Sequence, residues 1–520
     1  MHPAANQSKS ICPKSKFMKI YNAGQIRDWD AYTLEHEPLS SVDLMNRAAQ
    51  AFTDWFVKIY ADTERPICVL AGTGNNGGDG LAVARLLHRQ FYAVKVVVCD
   101  FNGKRSADFE AQLALLPEAV TVTVLRTLGE FLTPDKNEII VDALFGTGLS
   151  RPLAGEYWPA LIAHLNALPH AIVAIDVPSG LFADQHTAGP VVQATRTFSF
   201  ETPKRAFFFP ENAGRVGEWA SGPIGLHAGF EAATSTPFHY LTPAEARALV
   251  QPRAKFNHKG SFGHALLVAG SRGKIGAAVL AARACLRSGV GLLTVHTAGC
   301  GYPVLQISVP EAMCSADVHS DFITQLPDLQ EITTVGAGPG LDTHPETAVA
   351  LHRLLTTVYH PVVLDADALN LLARHPDWWP AIPKNSILTP HPKEFERLFG
   401  ATEHDFARND LQRRMAQHHG VVIILKGAHT AIAAPDGSCW FNSTGNPGMA
   451  SGGTGDVLTG LLTGLLAQGY ASAAAARLGV YLHGLAGDLA AAERSQAALI
   501  AGDLVDALGQ AWQAVERKGQ

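Results

Sequence analysis

A chain of 520 residues is too long for one ordinary domain, since domains run to roughly 100–200 residues each, and more than one core is expected. With 47% hydrophobic and 17% charged residues it can bury sizeable cores, and its formal net charge of −6 offers no basic face for a phosphate backbone, which argues against nucleic acid as a partner. The seven cysteines (Cys12, Cys68, Cys99, Cys285, Cys300, Cys314 and Cys439) are odd in number and scattered without a CxxC pair, so neither a disulfide framework nor a zinc site is expected.

In chain order, the N-terminus carries lysines but no apolar run of the signal-peptide kind, and folded sequence is expected to begin at Met18 in MKIYNAGQIRDWD. PICVLAG (66–72) is a short apolar run that predicts a buried strand, followed by a glycine-rich turn and a helix over 80–90. Strand-like runs recur at VKVVVCD (94–100), EIIVDAL (138–144) and AIVAIDV (171–177). Strands separated by helical segments predict a parallel sheet covered on both faces. The pattern weakens around 228–242, so domains are expected at 18–228 and 242–515 with 229–241 linking them. Alternation then restarts at 264–271, 333–338, 361–367, 386–392, 421–427 and 430–437. The apolar stretch from Val457 to Ala492 is broken by Gly460, Gly464, Gly469 and Gly484 and carries Arg477 and Asp488. It predicts packed small-residue helices rather than a membrane span, and a cytoplasmic location follows by default. Sheet-rich domains with apolar helices often assemble, so a homo-oligomer is expected.

The chemistry concentrates at loops. GNNGGDG (74–80) follows a strand, where glycines let backbone amides approach a ligand and a helix N-terminus favours an anion. It is neither GxGxxG nor a Walker A loop, and a tight turn capped by Asn and Asp is the plain alternative. Two further strand ends carry oxygen groups: Asp142 in VDALFGTGLSRPLAG (141–155), and Asp176 with Ser179 in AIDVPSG (174–180). Asp142, Ser179 and the Asn76 amide are ligands that suit a hard cation.

On these elements the segment from about 18 to 225 resembles the NAD(P)H-hydrate epimerase family, the YjeF N-terminal domain. The resemblance implies a Rossmann-like three-layer α/β/α fold. It implies that Asn75, Asn76, Gly77, Gly78 and Asp79, with Gly146, Thr147, Gly148, Leu149, Ser150, Arg151 and Pro152, bind the hydrated cofactor. Asp176 would lie near the reacting ring as the proton-transfer group, and Asn76, Asp142 and Ser179 would hold potassium. Tyr157 either lines the pocket or packs in the core or at the surface.

In the second half, NPGMASGGTGDVLTGLL (446–462) places consecutive flexible residues before a helix, so that amides can converge on phosphate oxygens, with Asp456 at the helix start as a base. An Asp N-cap on a glycine turn is the alternative. The segment resembles small-molecule kinases of the ribokinase-like fold, and 240–515 resembles within them the ADP/ATP-dependent NAD(P)H-hydrate dehydratase family. FNHKGSFGHALLVAGS (256–271), GAGPGL (336–341), DADALN (365–370), LTPHPKEF (388–395) and LKGAHT (425–430) also carry the likeness, with Lys393 where the family often has glycine. The resemblance implies that Ala277, Gly338, Gly340, His391 and Asp456 face the hydrated cofactor. Lys426, Gly427, Ala428, His429, Thr430 and Gly455 would contact the adenine nucleotide.

Together the resemblances imply a repair enzyme for hydrated NADH and NADPH. The first domain would interconvert the R and S epimers. The second would dehydrate the S form at the expense of ADP or ATP, with Mg2+ and the SGGTGD amides bearing the developing charge. Against this stands a hydroxymethylpyrimidine-type precursor kinase fused to a non-catalytic ligand-binding domain.

Overall fold

The computed structural model describes residues 18–101, 103–127 and 134–516, so any extension before Met18, and Cys12 with it, lies outside the described residues. The chain divides into two compact units between Thr236 and Pro237.

The first unit is built on a seven-stranded sheet in the order Thr121–Leu125, Val94–Cys99, Ile67–Ala71, Ile139–Ala143, Ile172–Ile175, Arg196–Phe200 and Glu218–Gly222. Every pairing is parallel. The strand Ile67–Ala71 shows why both faces are covered. Ile67, Val69 and Ala71 join one apolar cluster with Phe52, Phe56, Leu81 and Leu87, whereas Cys68 and Leu70 join another with Leu161, Ile162 and Leu165. A strand with apolar residues at both parities has no face to give to water, and the result is three layers, helix on sheet on helix. The chain runs outward from Ile67–Ala71 to one edge, then returns to start Ile139–Ala143 on the other side. That reversal opens a crevice at the carboxyl ends of the two central strands, where doubly wound sheets place ligands.

The helix expected over 80–90 begins earlier, at Asn75, so GNNGGDG supplies its opening turns rather than a turn before it. The reason is steric: a Cβ on Gly77 would stand 1.8 Å from the Gly72 carbonyl oxygen, and one on Gly80 would stand 2.5 Å from Ala143 Cβ. Only glycine lets the helix press that closely on the strands. The stretch 229–241 contains the end of a helix, Ala228–Ala233, whose Phe230 packs on Trp29, and a strand, Phe238–Leu241, that belongs to the second unit.

In the second unit the strands run Phe238–Leu241, Cys439–Asn442, Ala431–Ala433, Val422–Leu425, Ile387–Leu388, Val362–Leu364, Thr334–Ala337, His264–Val268, Leu292–Thr297 and Met313–Ala316. The seven from Val422–Leu425 to Met313–Ala316 are parallel, while Ala431–Ala433 pairs antiparallel with both of its neighbours. Alternation again feeds two faces: Val363 faces one apolar cluster and Val362 and Leu364 the other. The apolar stretch after Val457 forms helices Thr454–Ala467 and Ser472–Arg494. Its glycines serve close packing, since a Cβ on Gly460 would lie 1.9 Å from the Ala281 carbonyl oxygen. Among the described residues no helix is long and apolar enough to cross a membrane. The six cysteines described are free thiols.

Candidate functional sites

A cavity of about 400 Å³ occupies the crevice of the first unit. Asn75, Asn76, Asp79, Gly146, Thr147, Gly148, Leu149 and Asp176 line it. Gly77 and Gly78 are buried beneath the wall, and Ser150, Arg151 and Pro152 continue the loop beyond it. Phe145, Trp158 and Phe200 are the aromatics on the wall, whereas Tyr157 stacks on Phe101 at 4.9 Å between ring centroids. Gly74 is the N-cap of helix Asn75–Arg89 and no side chain caps that end, so its first amides remain available to an anion.

At the floor, Asp142 is wholly buried and accepts from Ser179 Oγ at 2.6 Å, Ser179 N at 2.8 Å and Leu144 N at 3.2 Å. Burial pushes its carboxyl up to about 6 against the lowering by those donors. No cationic side chain pairs with it among the described residues. The Asn76 amide lies against Gly146 with its nitrogen buried and without a hydrogen-bond partner.

Asp176 follows strand Ile172–Ile175 in a left-handed conformation with φ 66°, an uncommon state for a residue other than glycine. Its carboxylate meets Lys204 Nζ at 2.9 Å and accepts from Phe200 N at 3.2 Å. Lys204 is itself buried and donates to Ser199 Oγ, Phe200 O and Thr202 O at 2.8–3.0 Å. Three more carboxyls share the wall, those of Asp30, Asp79 and Glu201. Burial, then Asp176, pushes Asp30 up to about 7, with Lys204 pulling the other way. Burial, then Asp176 and Asp30, holds Asp79 well above the usual carboxylate range. Sequence reasoning missed Asp30, Glu201 and Lys204. Lys204 sits in a loop after a strand, and Asp30 is one of several polar residues on helix Ala23–His36, so neither falls in a glycine-rich pattern.

In the second unit the parallel strands deliver Gly338, Asp365, His391 and Lys426 from their carboxyl ends. Gly340 and Ala277 come together, since a Cβ on Gly340 would lie 3.2 Å from Ala277 Cβ. The helix carrying Asp456 is Thr454–Ala467, with Gly453 as N-cap at φ 94° and no side-chain cap. Asp456 is therefore not the cap; it stands in the first turn. Burial, then Asp365, pushes its carboxyl up to about 7, with Lys426 pulling it down. His483 Nε2 bonds the Thr454 carbonyl at 2.8 Å and fastens the start of this helix from below.

Lys426 Nζ meets Asp365 Oδ1 at 2.9 Å and Glu394 Oε2 at 4.0 Å, while Thr459 Oγ1 donates to Asp365 Oδ2 at 2.7 Å. Burial works against the lysine's charge, but Asp365 and Glu394 outweigh it and hold the ammonium above its usual range. A Cβ on Gly455 would lie 3.4 Å from Lys426 Nζ, so these two expected nucleotide contacts are neighbours. Gly427, Ala428, His429 and Thr430 form the turn before strand Ala431–Ala433, closed by Thr430 Oγ1 donating to Gly427 O at 3.0 Å. His391 caps helix Pro392–Phe399: its Nδ1 accepts from Lys393 N at 3.1 Å and Glu394 N at 3.3 Å. Asp365, Glu394 and Thr459 were not read as site residues. The two carboxylates lie in the motifs DADALN and LTPHPKEF, and the strand-end position of Asp365 is the signal the sequence offers.

Comparison with known proteins agrees with two sites of different kinds. A family model described as YjeF-related protein N-terminus matches residues 41–206, and one described as NAD(P)H-hydrate dehydratase matches residues 265–509. The bifunctional NAD(P)H-hydrate repair enzyme Nnr of Moorella thermoacetica is 35% identical over 514 residues, covering 94% of this chain and 96% of its own. That of Coxiella burnetii is 37% identical over 496 residues, covering 93% and 97%. Among solved structures, the ADP/ATP-dependent NAD(P)H-hydrate dehydratase of Bacillus subtilis, co-crystallised with ATP/Mg2+, is 37% identical and covers 53% of this chain and 98% of its own, with a TM-score of 0.48. Matched over 93–94% of its length by such relatives, the chain belongs to the family of bifunctional NAD(P)H-hydrate repair enzymes.

Proposed function

We propose that the first unit binds hydrated NADH or NADPH in its cavity, with Asp176 moving a proton at C6, and that Asp456 drives dehydration of the S epimer in the second. The chain is a repair enzyme that epimerises and dehydrates hydrated NAD(P)H, and membership in this family decides against the precursor-kinase alternative. In the second unit Asp456 takes the proton of the C6 hydroxyl as its oxygen attacks the terminal phosphoryl group of ADP or ATP. Lys426 and the amides of the Gly453–Asp456 turn face the charge that develops on the phosphoryl oxygens. Loss of phosphate then restores the reduced ring. The observation that carries this reading is the carboxyl of Asp456. It stands in the first turn of a glycine-capped helix, beside the Lys426–Asp365 pair, and is poised to take a proton near neutral pH.

Two cations fit the donor sets. Asp142, Ser179 and Asn76 supply oxygen ligands only, around a buried carboxylate with no cationic partner among the described residues, and would hold K+. Asp365 and Glu394, gathered about Lys426, would hold Mg2+ together with phosphate oxygens. When bound, Mg2+ supplies charge stabilisation to the phosphoryl group.

The test is recovery of absorbance at the reduced-nicotinamide band from mixed R and S hydrates with ADP, ATP or no nucleotide. Full recovery with a nucleotide, and none without, is expected. Recovery of the S form alone would remove the epimerase role, and no recovery with either nucleotide would remove the dehydratase role.

A further inference from the structure

The cavity of the first unit holds more carboxyls than one proton transfer needs. Of those on its wall, Asp176 is tied to Lys204 and Phe200 N, and Glu201 accepts from Ile224 N at 2.8 Å. Asp30 and Asp79 differ: among the described residues neither carboxyl has an ion pair or a hydrogen bond, and of the two Asp30 is carried on a helix held firmly in place. Asn22 closes a capping box at the start of that helix, and Ala23 N donates to Asp184 Oδ2 at 2.9 Å. The neighbouring Trp29 is 3% exposed, stacks on Phe230 and donates to the His227 carbonyl at 3.0 Å. A rigid mount carrying a carboxyl with no protein partner, aimed at a ligand cavity, is an arrangement for acting on what the cavity holds.

We infer that Asp30 is a second catalytic residue of the epimerase, exchanging a proton with the C6 oxygen of the hydrated cofactor opposite Asp176; this rests on the role proposed for Asp176. At C6 the ring nitrogen and the hydroxyl share one carbon. The Asp30 carboxyl gives its proton to that hydroxyl, the C6–O bond breaks, and the nitrogen lone pair forms C6=N as water leaves. Water then adds to the other face, a new C6–O bond forms, and the released proton goes to the Asp176 carboxylate. Passage in one direction moves one proton from Asp30 to Asp176, and passage in the other returns it. No electrons change hands.

The groups facing Asp30 are consistent with this exchange. Asp176 and Glu201 favour its neutral form, Lys204 opposes them, and Arg27 lines the cavity from the same helix. Burial holds the Asp79 carboxyl well above the usual carboxylate range, and burial with Asp176 pushes Asp30 up to about 7.

The experiment follows conversion of the R hydrate of NADPH to the S hydrate by the full chain, by chromatography of the epimers in H2 18O. The Asp30→Asn variant is expected to lose about 100-fold or more in kcat for exchange with KM changed by less than about threefold, while dehydration of the S hydrate is unaffected. Asp30→Glu should restore part of the rate with a displaced high-pH limb, and the product of the parent enzyme should carry solvent oxygen. Exchange within about threefold of the parent in Asp30→Asn would overturn the inference. So would a loss expressed in KM that Asp30→Glu leaves uncorrected with the pH limb in place. Should Asp30→Asn fail to fold, the displaced or unmoved limb of Asp30→Glu decides. Asp176→Asn separates the two readings: full exchange in that variant removes the role of Asp176, whereas Asp30→Asn bears on Asp30.

Discussion

The two units solve the same electrostatic problem with chain of very different reach. Each sets a lysine against a buried aspartate at the carboxyl end of a parallel strand, Lys204 on Asp176 and Lys426 on Asp365. Each then places near that pair a further carboxyl pushed up to about 7, Asp30 in one and Asp456 in the other. In the first unit the lysine is fixed locally, by Ser199, Phe200 and Thr202 just before it, and it is 1% exposed. In the second the partners come from afar, Asp365 lying 61 residues from Lys426 and 94 from Thr459, and the lysine side chain is 23% exposed. The local cradle leaves its lysine shut away from water, and the long-range one leaves its lysine partly exposed.

The sharpest way to separate the two sites is Asp456→Asn, which is expected to lower nucleotide-dependent recovery of reduced cofactor by roughly 10²–10⁴-fold while leaving epimer exchange intact. A parallel loss of exchange would show that the units do not act independently. Next come the lysines. Removing one partner of a buried pair strands a charge and costs about 3–5 kcal/mol, so Lys204→Met should lower the denaturation midpoint of the first unit by the larger amount. Lys426→Met should cost the second unit less, because water screens the more exposed pair. Equal losses would remove the distinction between the buried and the partly exposed lysine.

The pH dependence should run in opposite directions. Asp456 acts as a base, so dehydration of the S hydrate should rise as pH rises through about 7. Asp30 acts as an acid, so exchange from the side it serves should fall over the same range, where its own carboxyl loses its proton at about 7. Initial rates of both reactions on one preparation check this. Both carboxyls also sit above the ordinary aspartate value of 3.8 in the folded chain, so the stability that their neutral forms contribute is complete below that value and is lost as pH rises through about 7. The smallest effect is expected at His391→Ala, where losing the cap of helix Pro392–Phe399 should cost about 1 kcal/mol in thermal unfolding.

Much of both sites was legible because glycine and strand-end patterns are local. GNNGGDG, the segment from Asp142 to Pro152, DVPSG and SGGTGD each lie within a few residues of a strand end or helix start, and Asn75, Asn76, Asp79, Gly146, Thr147, Gly148, Leu149 and Asp176 among them line the cavity. Asp30 and Lys204 escaped because a lone polar residue on a helix or loop has no period to betray which face or cavity it serves. The opening of helix Asn75–Arg89 inside the glycine motif escaped for a related reason. Glycine weakens a helix by propensity, and only the press of Gly77 and Gly80 on the neighbouring strands explains their presence there.

The sequence by itself determined the alternation of strand and helix, the two covered sheets and the loops where ligands meet the chain, because each follows from the spacing of apolar residues and glycines along a few turns of backbone. Only the tertiary structure decided which charges face one another. The pairing of Lys426 with Asp365, of Lys204 with Asp176 and the placement of Asp30 beside that second pair depend on strand order, and proton affinity in a buried site is set by neighbours in space rather than in sequence.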